Sequence, residues 1–134
     1  MLGALFPLGA LSCPSIDITD AWIREPPPMS NVAAGYFNAI NTGSKEHTIT
    51  SIKSSCCASL AMHKTSIENG RATMQHLNSL AIAPAETVNF APNGAHLMLV
   101  GPTAPIQSTE IVEIEFVCAD GTSTRADFKV LRDK

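Results

Sequence analysis

The chain holds 134 residues, 45% apolar and 16% charged, with a formal net charge of −3. That length can bury a core without staples, and so much apolar surface with so little charge excludes a disordered chain. Nine basic residues against twelve acidic ones leave no footprint for nucleic acid, and no apolar run approaches the roughly 18 residues of a membrane span.

Met1 to Ser12 carry no charge and stop at Cys13-Pro14-Ser15. A short apolar run ending in small residues reads as the later part of an export signal, although the usual preceding basic residues are missing. Ala10-Leu11-Ser12-Cys13 loosely resembles the site where bacterial lipoproteins are cleaved and lipidated on cysteine. It departs from that pattern, because Leu is expected at Ala10 and a small residue at Leu11. Residues 1–15 are therefore read as a signal or lipoprotein remnant, the alternative being an apolar arm packed on the domain. Residues 16–132 are read as a single domain.

From there the hydrophobic period is two. Ile16 and Ile18 alternate with Asp17 and Thr19 in a run that continues to Trp22, the mark of a strand with one face in the core. Glu25-Pro26-Pro27-Pro28 ends that strand, and Asn41-Thr42-Gly43-Ser44 marks the next turn. Cys56 and Cys57 come next; being adjacent, they are not expected to pair with each other without strain, whereas either could meet Cys118 from a neighbouring strand. Buried free thiols acting as small hydrophobes are the other reading. No C-x-x-C supports a zinc ribbon or a thioredoxin-type centre.

Ala61-Met62-His63-Lys64-Thr65-Ser66-Ile67, Glu68-Asn69-Gly70-Arg71 and Ala72-Thr73-Met74-Gln75-His76-Leu77 form the next unit. Asn-Gly is the strongest short hairpin signal, because a type I′ turn needs positive φ at both central residues. With Asn69 and Gly70 in those places, His63 faces His76 and Thr65 faces Met74. His63 and Met74 become diagonal neighbours about 7–8 Å apart on one face, and Met62 falls on the other. After the turn at Pro92-Asn93-Gly94, Ala95-His96-Leu97-Met98-Leu99-Val100 alternates again. Leu97 and Leu99 are its core face, which leaves His96 and Met98 side by side on the outer one. Gly101-Pro102 closes that strand. Val112, Ile114 and Phe116, then the Asp120-Gly121 turn, then Ala126, Phe128 and Val130 complete the chain. Seven to nine short strands with Gly, Pro and Asn turns, and no helical period of ten residues, imply an all-β antiparallel Greek-key sandwich or barrel.

Two imidazoles and two thioethers are a distinctive donor set. Thioether sulfur is soft and uncharged and selects Cu(I), whereas zinc would call for thiolate or carboxylate. A blue-copper centre would need a His after Cys118, and all four His lie between residues 47 and 96. No Ser/His/Asp or Cys/His pairing stands out, so the chain does not read as an enzyme.

His63, ten residues, Met74, twenty-one residues, and His96-x-Met98 fit the signature H-x10-M-x21-H-x-M. In this the chain resembles the periplasmic copper chaperones of the PCuAC family. Asp20-Ala21-Trp22-Ile23-Arg24-Glu25-Pro26-Pro27 looks like the family's opening strand and proline turn. Ala34-Gly35-Tyr36-Phe37 with Asn41-Thr42-Gly43 looks like its second strand, and Gly94 to Gly101 matches its most recognisable segment. The resemblance covers about residues 17–131. It implies a cupredoxin-like β-sandwich binding one Cu(I) per chain through His63, Met74, His96 and Met98, with Cu(II) left open as a second state. His76 lies outside the signature and is expected to bind Cu(II) weakly or to touch a ligand from behind. The implied partner is a copper acceptor, the CuA domain of cytochrome oxidase subunit II or a related assembly factor. The implied setting is the periplasm, with membrane contact only through an N-terminal anchor and the chain as a monomer. Cys56-Cys57 depart from the family and could offer a competing soft site. A β-sandwich interaction module with no metal role is the alternative.

Overall fold

The computed structural model describes residues 15–132; Cys13 and the rest of the N-terminal segment lie outside them. Ten strands build the fold. They are β1 (Ile16–Arg24), β2 (Val32–Asn41), β3 (His47–Lys53), β4 (Cys57–Glu68) and β5 (Arg71–Leu77), then β6 (Leu80–Ile82), β7 (Thr87–Phe90), β8 (Ala95–Pro102), β9 (Ile111–Cys118) and β10 (Ser123–Leu131). This exceeds the expected seven to nine, because β6 and β7 have three and four residues and are too short to show a period.

Hydrogen bonding runs in the order β5-β4-β8-β2-β1-β10-β9-β3-β6, with β7 on the second half of β2. Every neighbour is antiparallel except one. β1 and β10 run parallel through Trp22↔Lys129, Ile23↔Val130 and Arg24↔Leu131, which corrects the wholly antiparallel expectation. Alternation states which face a residue occupies, not which way the neighbouring strand runs.

The two halves of this sheet face each other across an aromatic centre. Phe37 of β2 meets Phe116 of β9 at 5.0 Å and Phe128 of β10 at 6.0 Å between ring centroids. Ile23, Leu97 and Leu99 line one side and Ile49, Ile114 and Val130 the other, all fully buried. Each such side chain contributes roughly 1.5–3 kcal/mol by leaving water. Asn41 is the one fully buried polar side chain among the described residues. Its amide donates to the Lys45 and Ile82 carbonyls at 2.7 and 2.9 Å and its oxygen accepts from Gly43 N–H at 3.0 Å.

The first strand departs from its simple alternation. Pairing with β2 shifts between Thr19 and Trp22, and Asp20 adopts φ of 52°. The bulge inserts one residue and reverses the parity of the strand beyond it. Ile23 therefore enters the core, and Trp22, which shares parity with Ile16 and Ile18, turns to the opposite face against Tyr36 at 4.8 Å.

The cysteine expectation is also overturned. Cys56 and Cys57 are bonded to each other, and Cys118, itself disulfide-bonded, is not their partner. Adjacent side chains on a strand diverge to opposite faces. Cys56 lies instead in the turn that enters β4, where that divergence is lost.

Candidate metal centre

The outer face of β5-β4-β8-β2 gathers the four donors. Asn69 and Gly70 take φ of 53° and 76°, so the type I′ turn forms as its sequence dictates. β4 and β5 then pair His63↔His76 and Thr65↔Met74. On its other side β4 pairs with β8 through His63↔His96 and Ala61↔Met98. His63 thus sits between two imidazoles, with ring centroids 5.4 Å from His76 and 5.7 Å from His96. Met62 points away, 3% exposed in the core.

The environments of the four donors differ. Met74, on the edge strand, is 61% exposed; Met98 and His63 are half-buried; His96 is only 7% exposed. Burial of His96 departs from the expectation that an outward-facing residue here meets solvent. Met98 is flanked by Ala61 on β4 and Ala34 on β2. Two methyl neighbours leave open space beside its thioether, and a groove of about 380 Å³ occupies it, reaching Met74, His96, Tyr36 and Arg24.

The backbone fixes one imidazole and leaves the other unpartnered. The Gly94 carbonyl lies 3.2 Å from His96 Nδ1 and also accepts from Thr65 N–H at 3.2 Å. A carbonyl can only accept, so this contact places the proton on Nδ1 and leaves Nε2 with its lone pair. His63 Nδ1 is buried and has no hydrogen-bond partner. Burial, and then the nearness of His96 and His76, holds the His63 pKa below its ordinary value, so its ring is neutral at neutral pH. A neutral imidazole with an unpartnered buried nitrogen is a donor without an acceptor.

Among the described residues no three His, Cys, Asp or Glu side chains are arranged to hold a metal ion. A centre here must draw on thioethers, and the chemistry of neutral nitrogen plus neutral sulfur suits Cu(I). The Cys56–Cys57 disulfide stands apart. Cys57 lies opposite Pro102 at the start of β4, six residues before His63. Sequence reasoning missed Arg24 and Tyr36, which the β1 bulge and the β2 register bring to this face. The usable signal was the irregular spacing of Ile18, Trp22 and Ile23.

The family model described as "Putative lipoprotein LpqE-like" matches residues 16–130. "Putative lipoprotein Lxx21020" of Leifsonia xyli subsp. xyli (strain CTCB07) is 31% identical over 110 residues, which cover 81% of this chain and 65% of that protein. The chain therefore spans just under two thirds of the curated relative it matches. Among solved structures, the copper-bound PCuAC domain from PmoF2 superposes with a TM-score of 0.74 at 20% identity, over 89% of this chain and 94% of that one. The Cu(I) form of DR1885 from Deinococcus radiodurans does so at 0.72 and 23% identity, over 94% and 84%. These likenesses show a shared cupredoxin-like β-sandwich.

Proposed function

The chain belongs to the LpqE-like lipoprotein family, and from its donor geometry we propose that it carries one Cu(I) and delivers it to an acceptor protein. The ligands are His63, Met74, His96 and Met98. The observation that carries this reading is the unpartnered Nδ1 of His63, buried one strand from His96 and on the face that holds both thioethers. The copper-bound PCuAC domain and Cu(I)-DR1885 share its fold, which agrees with the reading.

The site suits transfer better than storage. Its two imidazoles are held by paired inner strands, whereas Met74 stands on the exposed edge hairpin. An incoming soft donor meets the copper from the Met74 and Met98 side and displaces a thioether, which leaves without taking a proton. The acceptor is a protein with thiolate or thioether donors, the CuA domain of oxidase subunit II being the candidate that the sequence resemblance supplies. The family's lipoprotein description supports an exported, membrane-anchored protein. No helix among the described residues is long and apolar enough to cross a membrane.

Competition for Cu(I) against a chromogenic chelator under reducing conditions tests the proposal. The protein should withdraw one equivalent, and the Met74→Ala/Met98→Ala double variant should withdraw none. A wild-type protein that takes no copper would leave the interaction-module alternative standing.

A further inference from the structure

We propose that the groove beside Met98 docks an acidic segment of the copper acceptor, with Arg24 reading the carboxylate. The proposal rests on the Cu(I) reading above and names the partner chemistry that reading leaves open.

Arg24 ends β1, one residue past the Ile23↔Gly35 pair, on the same face as Ala34 and Met98. Its guanidinium carbon lies 5.6 Å from the Trp22 ring centroid and 5.9 Å from that of Tyr36. Two aromatic faces hold the planar group in one orientation, so little freedom remains to be lost when it binds. Among the described residues Arg24 makes no ion pair; the ion pairs are those of Arg125 and Arg132. The adjacent acid is already engaged, since Glu25 takes the Ser108 N–H and lies 3.3 Å from Arg132. The Arg24 N–H groups are thus exposed donors in a groove whose own carboxylate, Glu25, is already paired.

Charge then selects the occupant. The four proposed ligands are neutral, so bound Cu(I) keeps its single positive charge a short way along the groove. An otherwise acidic protein of net charge −3 therefore presents two positive groups on this one face. A partner that complements it carries Asp or Glu a few residues from a Cys or Met. β2 separates β1 from β8, so Arg24 and Met98 stand about two strand spacings apart, roughly 10 Å. An extended chain covers that distance in about three residues. The groove also continues past Pro26 and Pro27 into a second cavity of about 580 Å³ lined by Met29, Pro105 and Ile106, which leaves room for flanking residues.

The test uses two blocked peptides, Asp-Gly-Gly-Cys and Asn-Gly-Gly-Cys. Copper-loaded wild-type protein should transfer Cu(I) to the Asp peptide about 3- to 10-fold faster at low ionic strength, and salt should shrink the difference. Arg24→Glu should lose or invert the preference with its Cu(I) affinity unchanged, while Arg24→Gln should only lose it. Equal wild-type rates for the two peptides would overturn the proposal. A second arm needs no copper. In metal-free protein the Arg24 Nε–H and Trp22 indole NMR signals should shift with the Asp peptide and not with the Asn peptide. That arm stands or falls even where Cu(I) binding itself fails, so the two readings are separable. Shifts that grow with protein concentration in the absence of peptide would assign the groove to a second copy of the chain and overturn the proposal.

Discussion

Leu97 and Met98 are consecutive, and the fold asks opposite things of them. Leu97 is fully buried among Ile23 and Gly35, whereas Met98 is half-buried and faces the groove between two alanines. Leu97→Ala removes buried methyl groups and leaves a cavity, which costs about 2–5 kcal/mol. For a chain of this length, each kcal/mol lowers the melting temperature by roughly 3–4 °C, so Leu97→Ala should melt about 6–20 °C lower. Met98→Ala gives up a partly exposed side chain and should cost at most about 1 kcal/mol. Copper should respond in reverse, with folded Leu97→Ala still binding one Cu(I) and Met98→Ala binding far more weakly. Urea unfolding and Cu(I) competition on the same two preparations give all four values. If Met98→Ala proves the more destabilising and keeps its copper, β8 is out of register by one residue and the proposed site is lost with it.

The remaining expectations are narrower. Cys56→Ser/Cys57→Ser should still bind one Cu(I) in the chelator assay, because the two sulfurs are bonded to each other and lie six residues from His63; loss of copper would move the site to the thiols. His76→Ala should lower Cu(I) affinity by at most about 10- to 100-fold, the scale of an outer partner, while His63→Ala should lower it by well over a hundredfold; equal losses would bring His76 into the ligand set. Burial, with His96 and His76 adding, holds the His63 pKa below 6.5 in the folded protein, so below that pH the unfolded chain binds the extra proton first. Metal-free stability should therefore fall as pH drops from about 6.5 to 5, with a shallower fall in His63→Gln by chemical denaturation, and Cu(I) affinity should weaken over the same window.

Local signals carried most of the site's geometry. Asn69-Gly70 fixes a turn type, and the turn type fixes which residues oppose one another, so the His63↔His76 and Thr65↔Met74 pairs follow from spacing alone. The core side of β8 was equally legible, since Leu97 and Leu99 have no other place to go. The illegible features depend on partners far along the chain or on single backbone departures. The parallel β1–β10 contact joins the two ends of the described chain, and no alternation pattern encodes it. The bulge at Asp20 reverses half a strand through one residue at positive φ, and Asp has no need of such a conformation that a pattern could reveal. The turn at Cys56 similarly accommodates a disulfide that the sequence reading did not expect without strain.

That one bulge has a consequence for the face that gathers the imidazoles and thioethers. Without it, Trp22 would sit with Ile16 and Ile18 on the core side and Arg24 would join them, burying a guanidinium beneath the sheet. With it, Trp22 stacks on Tyr36 and Arg24 lies over both rings at the mouth of the groove. A bulge conserves the pairing on either side of itself while re-aiming the side chains beyond it. The pairs Ile16↔Asn41 and Ile23↔Gly35 both survive, so the strand remains anchored in the sheet at both ends. β1 thus supplies Ile16 and Ile23 to the core and still delivers its aromatic and its cation to the surface where β4, β5 and β8 present their imidazoles and thioethers. The β4–β5 hairpin and β8 can assemble the four donors by local register alone, but only the irregularity in β1 places a positive charge beside them.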